Sequence, residues 1–211
     1  MRKVNIPPDY EAKKAFFLIH PESRLDYKTL FHNDNPVHLE IGCGKGEFIS
    51  TMPVLHPEIN FLGIEMKLKR IIIILKRLWI DTHPNVRLLQ LYVDEKVTEV
   101  IPEGSLDKIY IQHPDPWPKR RHNKNRLIQQ PFLDALHKML KVGATVELST
   151  DHPDYAEWIV EEFAKRRDFE PIFPDGYTQE SPYREEHITT FFEKVNAEAG
   201  FKPYFMHYKK L

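Results

Sequence analysis

Val37-His38-Leu39-Glu40-Ile41-Gly42-Cys43-Gly44-Lys45-Gly46 is an apolar strand-like run that ends in three glycines within five positions. Glycines at such a junction let the backbone take positive φ and approach a ligand closely. In a doubly wound sheet, ligands sit outside the carboxyl ends of the strands. This strand end is therefore the first candidate site, and the rest of the chain is read outward from it.

Downstream, strands and helices alternate. A helix starts at about Glu47, with Pro53 expected to shorten or kink it. Asn60 to Glu65 reads as a second strand. Met66 to Ile80 reads as an amphipathic helix with Leu68, Ile71, Ile72, Leu75, Leu78 and Trp79 on one face. Strands follow at Val86 to Val93 and Leu106 to Ile111. Gln129 to Leu140 is helical, and Val142-Gly143 is expected to end it. Val146 to Ser149 is the fifth strand. A helix then starts at Pro153 and runs to about Arg167, with Asp151 or His152 as its cap. Phe169 to Phe173 and Phe201 to Tyr208 are the last strands, separated by a loop over 174–188 and a helix over Thr190 to Ala199. Upstream, residues 1–34 read as an N-terminal arm, partly helical around Glu11 to Ile19, that either covers the site or packs as an edge. Residues 35–211 form the main domain. This alternation predicts an α/β fold, a mostly parallel sheet of seven strands with helices on both faces.

Composition narrows the function classes. The 211 residues carry a net charge of −1, so nucleic-acid binding has to rest on a local patch. Cys43 is the only cysteine, which excludes an internal disulfide and a thiolate zinc framework. The eleven histidines show no paired metal-ligand spacing, and no metal is expected. The start, Met1 to Pro8, lacks the apolar core of a signal peptide. The longest aliphatic run, Ile71 to Leu75, is too short to span a bilayer. The expectation is a cytoplasmic protein with no membrane partner, as a monomer or homodimer.

The glycine loop departs from the dinucleotide fingerprint Gly-x-Gly-x-x-Gly. The third glycine, Gly46, comes one step early, and Glu47 stands in the expected place. Glu40 before the loop would repel a pyrophosphate but suits an ammonium group. This points away from NAD and toward S-adenosylmethionine, which has an amino-acid tail and no phosphate. Glu65 closes the second strand, where an acid hydrogen-bonds ribose hydroxyls in nucleotide-binding sheets. Asp94 closes the third, where a carboxylate accepts from an adenine amino group. Cys43 is read as a small residue that fits the loop.

A second stretch stands apart: Pro114-Asp115-Pro116-Trp117-Pro118-Lys119-Arg120-Arg121-His122. Its three prolines stiffen the backbone at the end of a strand. They hold one acid and one large aromatic in place. Lys119, Arg120, Arg121, Lys124 and Arg126 follow, with no acidic residue from Pro116 to Leu133. A rigid acid-aromatic corner joined to cations suits a flat polar ring beside phosphates. Trp117 has two readings, stacking on a base or filling its own loop. Lys45, Lys67 and Arg70 read as solvated helix charges. Thr190 and Glu193 read as a capping box for the last helix.

Taken together, the chain resembles the tRNA (guanine-N7)-methyltransferase family. The resemblance rests on Glu40-Ile41-Gly42-x-Gly44-x-Gly46, Gly63-Ile64-Glu65, and Asn85 to Leu89 leading to Asp94. It rests most specifically on Pro114 to His122 with Arg126-Leu127, and it is completed by Thr150-Asp151 and Thr190 to Glu193. It spans about 37 to 194. It implies a Rossmann-like class I methyltransferase fold and methyl transfer from S-adenosylmethionine to N7 of a guanine in the tRNA variable loop. It implies cofactor contacts from Glu40, Gly42, Gly44, Gly46, Glu65, Asp94 and Asp115. Substrate contacts are implied from Lys119, Asp151 and Thr190 to Glu193, to which Trp117 and Arg121 are added from the basic stretch. Guanine N7 has a lone pair and no proton, so Asp115 is expected to orient the base and stabilise developing positive charge. Asp115 or Asp151 would accept from guanine N1–H and N2–H2. One departure is local: His113 stands where the family usually has an aromatic. The competing readings are a methyltransferase with another substrate and a non-catalytic RNA-binding subunit of the same fold.

Overall fold

The computed structural model describes residues 6–183, 187–198 and 200–211. The first five residues of the expected arm, three of the expected 174–188 loop and the last residue of the expected 190–199 helix lie outside these. The chain opens with a helix at Tyr10–Phe17 (α1), a two-residue strand at Leu18–Ile19 (β1) and a short helix at Tyr27–Phe31 (α2). Val37–Ile41 (β2), Glu47–Leu55 (α3), Asn60–Ile64 (β3), Leu68–Arg77 (α4) and Val86–Leu89 (β4) form the first half of the sheet and its cover. A 3-10 turn at Glu95–Glu99 leads to Leu106–Gln112 (β5), and a second at Arg120–Asn125 leads to Gln130–Met139 (α5). Leu140–Thr150 (β6), Pro153–Ala164 (α6), Phe169–Pro171 (β7), Phe191–Glu198 (α7) and Tyr204–Lys210 (β8) complete the chain.

The strands form one sheet in the order β1-β4-β3-β2-β5-β6-β8-β7. β8 alone runs against its neighbours β6 and β7. Parallel strands joined through helices are covered on both faces, so they read as continuous apolar runs; β2 and β3 are buried along their whole length. One face packs Leu39, Ile41, Leu62, Ile109 and Val146 under α5 and α6. The other packs Phe61, Val86 and Leu88 under α1, α3 and α4, through Phe17, Ile49, Ile71, Ile74 and Leu75.

The sheet has eight strands where seven were expected. The extra one is β1, which pairs in parallel with β4 at the edge. Phe17 just before it is fully buried, so the described part of the arm packs as an edge. β4 stops at Leu89 instead of Val93. Both its neighbours stop at the same level, Ile19 and Ile64, so the backbone beyond has no ladder to join. α4 is shorter than expected, and Leu68 and Trp79 are exposed, not part of its buried face. Trp79 lies in the turn after the helix, where the Lys13 ammonium sits 4.0 Å from its ring centre. β6 begins at Leu140, well before Val146. Its pairing jumps from Leu106↔Leu140 to Lys108↔Thr145, and Gly143, at φ 81°, lies within that bulge.

Gly63 in β3 sits where the glycine loop, β4 and α3 crowd the strand. A Cβ there would lie 2.7 Å from Cys43 Sγ and 3.0 Å from Leu88 Cδ2. Gly63→Ala should therefore lower stability by about 1–3 kcal/mol, as overpacked cores do. Urea unfolding measures this, and Cys43→Ala in the same chain should recover part of the loss. An unchanged midpoint would mean that the contact gives way without strain.

Candidate active site

The parallel strands bring their carboxyl ends to one edge, and there the loops enclose a cavity of about 840 Å³. That volume suits a nucleoside-sized ligand with room beside it. Its lining includes Glu40, Gly42, Gly44, Glu65, Asp94, Asp115, Trp117, Asp151 and Thr190. Residues spread over 150 positions thus meet because β2, β3, β5 and β6 stand side by side.

The glycine loop holds Gly42, Gly44 and Gly46 at φ 83°, 58° and 83°, a region costly for residues with a Cβ. Glu65 braces this loop. Its Oε2 accepts from the Gly44 N–H at 3.1 Å and its Oε1 from the Lys67 N–H at 2.8 Å. Arg70 Nη1 lies 3.4 Å from Oε2, so this cation is paired, not simply solvated. Lys45 Nζ stands 2.9 Å from the Phe191 ring centre and ties the loop to the start of α7. Gly46 does not line the cavity; a Cβ there would meet Ile74 Cγ1 at 2.8 Å, so its role is to seat α3 against α4.

Glu40 is arranged differently. It is 4% exposed, and its Oε2 is buried with no hydrogen-bond partner among the described residues. Burial pushes its carboxyl up to about 8, and the nearby Glu47 and Glu65 add to the shift. A buried acid with an open oxygen fits a ligand that brings its own positive charge. Cys43 beside it is buried, and burial raises its thiol well above the usual range, so it is not a ready nucleophile.

Asp94 was expected at the end of a strand. It instead lies five residues past β4 and caps the first 3-10 turn, its Oδ1 accepting from the Lys96 N–H at 2.9 Å. It still lines the cavity.

Asp115 is exposed on the proline-stiffened loop. Trp117 sits at φ 45°, with its ring edge-on to His122 at 5.9 Å. It is 38% exposed, so it does not fill a core of its own loop. Arg126, expected on phosphates, is buried and structural. Its Nε donates to the Pro116 carbonyl at 3.0 Å and its Nη1 to the Asp154 carbonyl at 3.4 Å. The guanidinium also lies 5.0 Å from the Tyr155 ring centre and 5.1 Å from that of Trp158. It clamps the Asp115 loop to α6. Lys119, Arg120 and Arg121 stay exposed outside the lining.

Asp151 follows β6, with His113 at the end of β5 facing it; His113 Nδ1 is 3.8 Å from Asp151 Oδ1. Burial would raise the Asp151 carboxyl, but the His113 imidazole, together with Asp151's own backbone N–H and His152, holds it below the ordinary range. Thr190 Oγ1 accepts from the Glu193 N–H at 3.2 Å, one half of a capping box. The Glu193 carboxylate completes no box. It turns to His187 Nε2 at 2.6 Å, away from the cavity lining. Lys124 of the basic run lines the cavity, as do His113 and Arg70, which had not been singled out as site residues; of these two only the departure at His113 gave a signal.

A glycine loop at the end of the first central strand, acids at neighbouring strand ends and a final antiparallel strand define a Rossmann-like methyltransferase. Solved structures agree on the fold. The 16S rRNA methyltransferase KamB superposes with a TM-score of 0.60 at 14% identity, over 90% of this chain and 96% of that one. An antibiotic-related methyltransferase gives 0.59 at 17% identity, over 88% and 92%. A family model described as "Putative methyltransferase" matches residues 34–206. The tRNA (guanine-N(7)-)-methyltransferase of Brevibacillus brevis is 35% identical over 79% of both chains. That of Geobacillus thermodenitrificans is 40% identical over 70% of this chain and 68% of its own. That of Enterococcus faecalis is 38% identical over 78% of each. The chain belongs to the tRNA (guanine-N(7)-)-methyltransferase family.

The clamp at Arg126 is testable. Arg126→Met keeps an apolar stem but leaves two carbonyls without their donor, at a cost of about 1–3 kcal/mol. Hydrogen exchange of the amides from 112 to 126 should accelerate at least tenfold, with β2 and β3 unchanged. Unaltered exchange in that segment would refute the clamp.

Proposed function

We propose that this protein transfers a methyl group from S-adenosylmethionine to N7 of a guanine in the variable loop of tRNA. The observation that carries the reading is one cavity lined both by the open, buried carboxylate of Glu40 and by the rigid Asp115–Trp117 corner. Glu40 fits the ammonium of the cofactor's amino-acid tail. Gly42 and Gly44 leave room for close approach of its backbone-facing side. Glu65 and Asp94 suit ribose hydroxyls and the adenine amino group, respectively. When bound, S-adenosylmethionine supplies the methyl group, activated by its sulfonium. With a substrate acting in translation, the protein's place is the cytoplasm.

The chain's own residues then have to orient the base and answer its change of charge. N7 has no proton to lose, so no general base is required. Asp115, fixed between two prolines, faces a purine that becomes cationic as it is methylated, and a preorganised carboxylate there favours the transition state over the ground state. Trp117 offers a stacking face, a contact worth roughly 1–3 kcal/mol in single-strand binders. Lys119, Arg120 and Arg121, exposed beside the cavity mouth, suit phosphates of the RNA.

The direct test is incubation with labelled S-adenosylmethionine and unmodified tRNA, followed by nucleoside analysis. The expected product is 7-methylguanosine in the variable loop. Cofactor binding with no label in tRNA would overturn the reading in favour of another substrate or a non-catalytic subunit. In the same assay, Asp115→Ala should lower kcat about 100-fold or more, the scale of losing one preorganised electrostatic partner, with cofactor affinity changed little. Full turnover would remove Asp115 from the mechanism.

A further inference from the structure

Resting on the functional reading above, we propose that His113 is a positioning residue for Asp151. It holds that carboxylate aimed into the cavity, so that Asp151 accepts from guanine N1–H and N2–H2.

The backbone at His113 is at φ 47°, a conformation uncommon for a residue with a Cβ. Outliers of this kind persist where surrounding structure over-determines them, and they cluster at functional sites. The surroundings here are explicit. The His113 N–H donates to the Ser149 carbonyl at 2.9 Å, which locks the ends of β5 and β6 together. This lock brings His113 beside Asp151, two residues past Ser149. The imidazole is 6% exposed, and its Nδ1 is buried without a hydrogen bond among the described residues. A buried, unsatisfied ring nitrogen is costly unless a bond closes in the working state. Among the described residues the acid that it pairs with is Asp151, 3.8 Å away, a gap that a modest shift shortens to a charge-assisted hydrogen bond. Such contacts are commonly long in the free protein and tighten around substrate.

Asp151 is the partner that a purine can reach, since its side chain remains 18% exposed and both residues line the cavity with Asp115. An ionised carboxylate accepts two N–H donors from the guanine edge. Adenine presents a lone pair at N1, which the same carboxylate repels. As the purine gains positive charge at N7, its N1–H becomes a stronger donor, so the bond to Asp151 strengthens toward the transition state. A misdirected Asp151 would lose both effects. His113 therefore acts through Asp151, without touching the base.

The test is a double-mutant cycle with His113→Phe and Asp151→Asn, read as single-turnover methyl transfer to tRNA, equilibrium tRNA affinity and cofactor affinity. His113→Phe keeps a ring and removes the donor. It should lower kcat/KM about 10–100-fold, the range for a hydrogen bond to a charged group, while cofactor affinity stays within about twofold. His113→Asn tolerates positive φ and restores an N–H donor, so it should recover a measurable part. In the Asp151→Asn background, His113→Phe should cost nothing further. Additive losses, or His113→Asn no better than His113→Phe, would overturn the proposal. A wild-type protein that places no label in guanine would instead overturn the functional reading itself.

Discussion

The buried carboxylate of Glu40, at the end of the central strand with one oxygen unpartnered among the described residues, is the constraint from which the site follows. An acid removed from water is costly in its charged form. The fold carries it because β2 lies between β3 and β5, so its carboxyl end is enclosed by the loops of both neighbours. Glu65, on the next strand, shows the alternative fate of such an acid. It spends both oxygens on backbone N–H groups and one on Arg70. Glu65 shapes the glycine loop and keeps a second lone pair on Oε1 for a ligand, while Glu40 holds a whole oxygen open.

The opposite side of the cavity uses a different device. The Pro114–Pro118 loop has little internal hydrogen bonding to hold it, since proline removes donors. Its rigidity comes from without. Arg126 binds the Pro116 carbonyl and reaches across to α6 between two aromatic rings, and the Ser149 carbonyl holds the amide of His113. The cationic run is thus divided. Arg126 turns inward and anchors, while Lys119 to Arg121 turn outward and leave a basic rim.

Much of this was legible in the sequence because buried parallel strands declare themselves as apolar runs, and turn residues mark their ends. The gathering of Glu40, Glu65, Asp115 and Asp151 at one edge follows from strand order alone. Other features had no local signal. β1 is two residues long, too short to show a period, and it exists only because β4 has a free edge. Asp94 looked like a strand end because Val86 to Val93 is apolar, but a strand lasts only as long as its neighbours. Arg126 is written like the surface cations beside it; its burial depends on Tyr155 and Trp158, some thirty residues away. The Thr190–Glu193 spacing correctly indicated a cap, but the carboxylate answers to His187, which the spacing does not include.

The claim that Glu40 is kept for a positively charged ligand is tested most directly by proton counting. A carboxyl pushed up to about 8 is mostly protonated at pH 7. An ammonium placed against it favours the ionised form and draws that pKa down, so binding at pH 7 must expel the proton. Affinity should accordingly rise with pH toward about 8 and fall again above it, as the ligand's own ammonium loses its proton. Calorimetry of S-adenosylmethionine binding at pH 7, in buffers of different ionisation enthalpy, reads this proton. The account predicts release of close to one proton by the wild type and none by Glu40→Gln. Equal proton release by both proteins, or none by either, would contradict it.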